Sequence, residues 1–436
     1  MEWHLSGHRR IRELKRELKR ELMREAATAQ KGSVAITDNA SQMADDLILT
    51  NPLPDPLQAH ISAALSRAGG WLPFDEFMGL ALYSPGLGYY ARSNTQIGMW
   101  PQPAIAETRE HAIDMAGSDF VTAPELTPLF GKALARQVAQ ALAATATVDI
   151  WEFGAGTGAL ALQILQTLDA LGCSWEHYTI VELSAALRQR QQTALASFAG
   201  KVRWVDALPE VFSGIVVGNE VLDAMPVKLL ARNEGEWFER GVCVGNPWVW
   251  QDRPTFLRPP LDVDGDHDYL TEIHPQSEAF IRTLAERLNR GAVFLIDYGF
   301  PEHEYYLAQR HMGTLMCHRA HQADSEPLRD VGLKDITAHV NFTGVALAAQ
   351  EAGFDLLGYT SQARFLMNCG LLELLETATF ADKAMAQKLL MEHEMGELFK
   401  VIGWCKPAPV AATATAPVAA QWQAIGFAQG DRSHRL

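Results

Sequence analysis

The chain has 436 residues, 48% of them hydrophobic and 20% charged, the ordinary balance of a globular protein. Its 52 acidic residues against 37 basic ones leave a formal net charge of −15, which argues against non-specific nucleic-acid binding and mildly suits a cationic substrate. No run of about 18 apolar residues is present, so no membrane span is expected, and the length fits either about three domains or one elaborated α/β unit.

Residues 9–25 carry a four-residue repeat, RELK-RELK-RELM. Glu13, Glu17 and Glu21 each stand three before an arginine, a helix-supporting spacing. The run is too short for several heptads, so a solvated helix or poorly ordered tail is expected rather than a coiled coil. Residues 1–25 hold eight basic and five acidic residues, which leaves 29 basic and 47 acidic residues, a net of −18, for the rest of the chain. The start has no apolar h-region, and its acids are unlike a transit peptide. The five cysteines are irregularly spaced with no CxxC pair, which reads as reduced thiols. The expected setting is therefore cytoplasmic. We assign residues 1–50 to a basic tail and linker.

Residues 51–145 form an N-terminal helical or lid region. Within it, residues 56–92 show helical apolar spacing, a Pro-Gly turn and the pair Tyr89–Tyr90, and residues 94–117 read as a loop. Tyr89–Tyr90 fit either a substrate channel or the core. Residues 128–145 read as one amphipathic helix started by Pro128. From Val148 to about residue 405, apolar strands alternate with helices, which predicts a doubly wound α/β sheet, mainly parallel. The strands are VDIWEF, YTIVEL, KVRWVDA, GIVVGN and AVFLIDYG. An insertion at about 226–270, rich in Trp, Val and Phe between turn residues, predicts a β-hairpin region. Pro407 to Ala420 is nearly all Ala, Pro, Thr and Val, so residues 406–436 are expected to be an extended tail.

The first strand ends in Glu152-Phe-Gly154-Ala-Gly156-Thr-Gly158. Glycines here allow a tight turn and a close backbone approach to a nucleotide. Gly154, Gly156 and Ala159 also satisfy the GxGxxG/A pattern of dinucleotide enzymes. The acid two before the first glycine favours S-adenosylmethionine (SAM), whose methionine ammonium Glu152 could face directly or through water. Glu182 ends the next strand, where a carboxylate can accept two ribose hydroxyls. Asp206 ends the third and is a candidate for the adenine amino group, although strand ends are often Asp or Asn in any case.

VVGNEVLDAMPV, from Val216 to Val227, follows the fourth strand. Strand carboxyl ends form the ligand crevice of an open α/β sheet. Asn219, Glu220 and Asp223 are therefore candidate catalytic residues. Glu220 and Asp223 are three apart, so one helical turn would put both on one face. Paired carboxylates suit the planar donor fork of a guanidinium. Asp119, Thr122 and Glu125 in GSDFVTAPE could close over the methionine end of SAM, or Thr122 and Glu125 could form a local capping box.

These segments, with FMGLALYSPGLGYY, DITAHVNF, TSQARFLMNCG and MGELFKVIG, resemble the MidA-like methyltransferase family over roughly residues 52–405. In eukaryotes that family includes a mitochondrial complex I assembly-factor arginine methyltransferase. The resemblance implies a class I, Rossmann-like SAM-dependent methyltransferase. It also implies symmetric dimethylation of an arginine on a protein partner, in the eukaryotic members a respiratory-complex subunit. An NAD-dependent oxidoreductase, methyl transfer to another acceptor and a non-enzymatic assembly factor stay open as alternatives. His339 in DITAHVNF could accept a proton at the site or be hydrogen-bonded for structure. His318 and His321 lack the partners of a metal set, and no metal is expected.

Overall fold

The computed structural model of the chain describes residues 55–92, 122–245, 247–319, 322–406 and 422–436. The RELK repeat, the loop at 94–117, Asp119, His321 and the Ala/Pro stretch at 407–420 lie outside the described residues.

Helix α1 (Pro56–Arg67) leads through strand β1 (Trp71–Pro73) to helix α2 (Phe74–Tyr83), and after the short helix α3 (Ala123–Leu126) comes α4 (Leu129–Thr145). Pro128 occupies the N-cap of α4, and Ala146 ends it with a left-handed φ of +49°. The alternating segment then runs β2 (Asp149–Phe153), α5 (Ala159–Ala170), β3 (His177–Val181), α6 (Ala185–Ala194), β4 (Val202–Val205) and β5 (Phe212–Asn219). Ser184 caps α6 by accepting the Leu187 N–H at 3.4 Å.

Strands β6 (Lys228–Asn233), β7 (Glu236–Cys243), β8 (Val249–Pro254) and β9 (Tyr269–Ile273) follow β5. With β1 they make one antiparallel sheet, ordered β1-β7-β6-β9 with β8 on β7. Beyond it lie α7 (Pro275–Arg287), the long β10 (Leu288–Phe300) and α8 (Glu302–Tyr305). Then come β11 (Met316–Arg319), β12 (Gln322–Asp324) and β13 (Asp335–Thr337), which form a small sheet of their own. Strand β14 (Val340–Asn341), α9 (Phe342–Glu351), β15 (Asp355–Ser361), α10 (Gln362–Asn368), α11 (Leu371–Thr377), α12 (Phe380–Leu390), α13 (Met395–Leu398) and β16 (Phe399–Lys406) complete the body.

The large sheet has the order β15-β16-β10-β5-β2-β3-β4, with β14 on β10. Strands β10, β5, β2, β3 and β4 are parallel, whereas β16 runs antiparallel between β10 and β15. The sheet is thus the expected mainly parallel class I methyltransferase architecture, with β16 as its one reversed strand. Period-two alternation divides its side chains between two covered faces. Ile215, Val217, Ala292, Phe294 and Ile296 pack with α4 and α5. Val216, Val293 and Leu295 pack with α7 and α9. Strand β2 has β3 on one side and β5 on the other, so the chain reverses its winding there. That reversal opens a crevice at the carboxyl ends of β2 and β5.

The C-terminus departs from the expected extended tail. Residues 422–436 return to the body, and Phe427 is buried, 5.4 Å from the Phe365 ring and 6.5 Å from the Phe294 ring, centroid to centroid. The Arg432 N–H donates to the Tyr359 carbonyl at 2.6 Å, and Arg432 and Arg435 pair with Glu397 and Glu304. An aromatic anchor and a charged end tie this segment to the body.

Candidate active site

The crevice is a cavity of about 690 Å³, within the usual size of a small-molecule site. The Gly-rich turn forms its floor. Gly154, Gly156 and Gly158 have φ of +66°, +51° and +89°, conformations that cost other residues steric strain. A Cβ on Gly154 would also stand 3.0 Å from Val221 Cγ2. The turn is braced from both sides. Gln191, fully buried in α6, donates to the Gly156 carbonyl and to Glu182 Oε2, each at 3.0 Å. Trp204 of β4 in turn donates to Gln191 Oε1 at 2.9 Å. On the other side Thr157 donates to Glu125.

Glu125 and Thr122 both line the cavity. Thr122 is the N-cap of α3, yet its side chain makes no capping hydrogen bond. The local capping-box reading therefore fails, because the Glu125 carboxylate goes to the Gly-rich turn 32 residues further along the chain. Burial raises the Glu125 carboxyl above its ordinary value.

Glu152 and Glu182 also line the cavity. Glu152 is 1% exposed and accepts the Tyr178 hydroxyl at 2.9 Å. Burial, with Glu182 as a weaker like charge, pushes it up to about 8. Glu182 accepts the Ser184 N–H at 2.7 Å on Oε1 and Gln191 on Oε2. With the Leu183 N–H also acting on it, the carboxylate keeps acceptor capacity for a further donor such as a ribose hydroxyl. Burial raises Glu182 despite these donors.

Asp206 stands apart from the other cofactor candidates. It does not line the cavity; its exposed carboxylate pairs with Arg188. Strand β4 is the edge of the sheet, two places from β2, so its carboxyl end lies on the same side as the crevice but further from it.

The acids after β5 form the other end of the site. Residues 220–226 make turns and bends rather than a helix, so Glu220 and Asp223 are not held on one helical face as expected. Glu220 instead takes a left-handed φ of +55°, and its N–H donates to the Ile296 carbonyl at 2.9 Å. Asn219 Nδ2 donates to Glu220 Oε1 at 2.9 Å, and the Ala123 N–H of α3 also favours the charged carboxylate. Even so, burial and then Asp223 push Glu220 up to about 8. Asn219 and Glu220 line the cavity, and Asp223 lies buried behind them. Tyr298 of β10 donates to Asp223 Oδ2 at 2.6 Å, while burial pushes Asp223 up to about 6. Asp223 Oδ1 and Asn219 Oδ1 are buried and have no hydrogen-bond partner among the described residues. No Lys or Arg of the described residues forms an ion pair with Glu220, Asp223 or Asp297.

Tyr83 of α2 and Tyr90 complete this end. Their rings stack at 5.5 Å, Tyr83 donates to the Ala224 carbonyl, and Tyr90 donates to Asp335, both at 2.8 Å. The Tyr89–Tyr90 pair thus divides its roles, since Tyr90 lines the cavity and Tyr89 is in the core. His339 does not line the cavity. It stacks on Phe300 at 5.2 Å and meets Tyr298 edge-on at 5.1 Å, and burial pushes it down to about 4. Asp149, Glu176 and His177 lie within reach of one another, but at the opposite end of β2 and β3, with Arg203 on the His177 ring.

Gln191, Asp297, Tyr298 and Tyr83 were not singled out from the sequence. Asp297 and Tyr298 stood in the IDYG segment and Tyr83 in FMGLALYSPGLGYY. Gln191 had no signal, as one of several glutamines on a polar helix.

The residues present fit SAM. The turn brings three glycines at positive φ to the cavity, Glu182 has open acceptor capacity, and Asn219 Oδ1 has no hydrogen-bond partner among the described residues. Residues 133–360 match the family described as "Putative S-adenosyl-L-methionine-dependent methyltransferase". A Burkholderia thailandensis protein solved with S-adenosyl-homocysteine bound is 45% identical, with a TM-score of 0.77 over 89% of this chain and 100% of that one. The protein arginine methyltransferase NDUFAF7 of Danio rerio, a mitochondrial protein, is 26% identical over 70% of this chain and 74% of its own length. The Homo sapiens protein of that name is 25% identical over 79% of this chain and 80% of its own.

Proposed function

The chain belongs to this family of S-adenosyl-L-methionine-dependent methyltransferases, and we propose that its acceptor is the guanidinium of an arginine in a protein. The observation that carries the acceptor is the buried acid group at one end of the cavity. Glu220 and Asp223 sit together without a basic partner among the described residues, and both are pushed up by burial. A bound guanidinium would supply the missing positive charge and two parallel donors. The naming of the NDUFAF7 relatives as protein arginine methyltransferases supports the same reading.

When bound, SAM supplies a sulfonium methyl group. Gly154, Gly156, Gly158 and Glu182 would hold it, with Glu152 toward its methionine ammonium and Glu125 bracing the turn through Thr157. Glu220 orients the acceptor and keeps electron density on the attacking nitrogen, with Asp223 behind it. Most of the acceleration then comes from positioning the acceptor nitrogen against the methyl group. The proton leaves the nitrogen after transfer, and Glu220, whose proton affinity is raised, can take it. The symmetric dimethyl product and a respiratory-complex subunit as target belong to this proposal on the strength of the family resemblance. A cytoplasmic setting is proposed from five free cysteines, and cell fractionation tests it.

The decisive experiment incubates the chain with methyl-labelled SAM and a lysate of its host, then hydrolyses the labelled protein. Label in symmetric dimethylarginine is expected. Label confined to another side chain or to a small molecule would overturn the arginine assignment and leave methyl transfer standing.

A further inference from the structure

We propose that Asp297 and Tyr298, at the carboxyl end of β10, are positioning residues that set the acceptor acids Glu220 and Asp223 from behind. This rests on the acid group being the acceptor site. Asp297 is 1% exposed and does not line the cavity, so it cannot touch the acceptor directly. Its Oδ2 accepts three consecutive backbone N–H groups, those of Val221, Leu222 and Asp223, at 3.1, 2.8 and 3.2 Å. Its Oδ1 accepts the Tyr298 N–H at 2.9 Å. The loop after β5 is thereby wrapped around one carboxylate oxygen.

The wrapped segment begins immediately after Glu220, the residue with the left-handed backbone. A residue with a Cβ keeps such a conformation only when its surroundings over-determine it. Two restraints do so here. The Glu220 N–H is tied to the Ile296 carbonyl of β10, and the next three N–H groups are tied to the Asp297 side chain. Strand β10 lies beside β5 in parallel register, with Ile296 opposite Asn219. One strand end therefore sets the direction in which its neighbour's acid points.

Tyr298 adds the second hold. Its hydroxyl donates to Asp223 Oδ2 at 2.6 Å, while Oδ1 of the same carboxylate has no partner among the described residues. The hydrogen bond fixes the Asp223 carboxylate and favours its charged form. The titratable groups acting around Asp223 are Glu220 on its own loop, Asp297 and Tyr298 from β10, and Tyr83 and Tyr90 from the N-terminal region.

Variants of the full chain separate this role from a merely structural one. D297N keeps an oxygen for the three loop N–H groups, and D297A removes it. Methyl transfer from labelled SAM to lysate protein is expected to fall about a hundredfold in D297A and about tenfold or less in D297N, since small misplacements are costly at a reacting centre. S-adenosylhomocysteine affinity, read by calorimetry, should stay within about twofold in D297N, because Asp297 is outside the cavity. Equal losses in the two variants, or a parallel loss of S-adenosylhomocysteine binding in D297N, overturn the positioning role. Y298F tests the second hold without relying on activity. Its Asp223 carboxyl, followed by carbon-13 NMR, should titrate at higher pH than in the unaltered chain, and an unmoved midpoint overturns the Tyr298 assignment. Full turnover in Glu220→Gln would instead sink the acceptor site itself, so the two failures are distinguishable.

Discussion

Two acids at neighbouring places on the same sheet have been put to opposite uses. Glu182 follows β3 and Glu220 follows β5, and both are withdrawn from water. Glu182 is surrounded by donors, an N–H on one oxygen and an amide on the other. Glu220 also has an amide and an N–H donor, but its charged neighbours are acids, Asp223 more strongly than Asp335, where the charged neighbour of Glu182 is Arg188. The first arrangement makes a fixed acceptor for neutral hydroxyls. The second makes a site whose charge is completed only by a cation. The teaching point is that the neighbours, and not the residue type, decide which ligand a buried carboxylate recognises.

The comparison breaks most directly at Glu220. Glu220→Gln keeps the shape and removes the charge, so turnover should fall about a hundredfold or more. Cofactor affinity measured by calorimetry should hardly change. Glu182→Ala should do the reverse. SAM affinity should weaken about 10- to 100-fold for the lost charge-assisted hydrogen bonds, with kcat at saturating SAM largely retained. If both variants lost affinity and kcat together, the division into two ends would be wrong.

A smaller effect sharpens the electrostatic side. Glu220 has its folded value raised from the ordinary 4.5 to about 8, so between those values the folded chain holds more protons than the unfolded one. Stability therefore falls as pH rises from about 4.5 to about 8, and Glu152 and Asp223 act in the same direction. Without ligand, the thermal midpoint should be lower at pH 8.5 than at pH 6, and Glu220→Gln should reduce that decline. The smallest effect is expected at Asp206. Its carboxylate is solvent-exposed and paired with Arg188, so Asp206→Asn should leave SAM affinity within about twofold. A larger loss would return Asp206 to the cofactor site.

Much of the cofactor end was legible in the sequence because its parts are local. The Gly-rich turn, the strand before it and the helix after it are contiguous, and their apolar periodicity identifies each element. The acceptor end was only half legible. Asn219, Glu220 and Asp223 could be picked out from their place after a strand, but the helical turn expected for them is not there. That turn is shaped by Asp297, more than seventy residues away, through hydrogen bonds that no local spacing encodes. The place of Asp206 outside the cavity lining was not legible for a related reason. Whether a strand end reaches the crevice depends on the strand's place in the sheet, and β4 is at the edge.

By itself, then, the sequence determined the alternation of strand and helix, the glycines of the turn and the presence of acids at strand ends. These rest on periodicity, on missing Cβ atoms and on charge, which are properties of short segments. Only the tertiary structure decided which acids share a cavity, that Glu125 reaches Thr157, and that Phe427 carries the C-terminus back into the core. Those outcomes come from strand order and from contacts between distant segments. Burial then sets the charge of each carboxyl, and burial is a property of the packed chain as a whole.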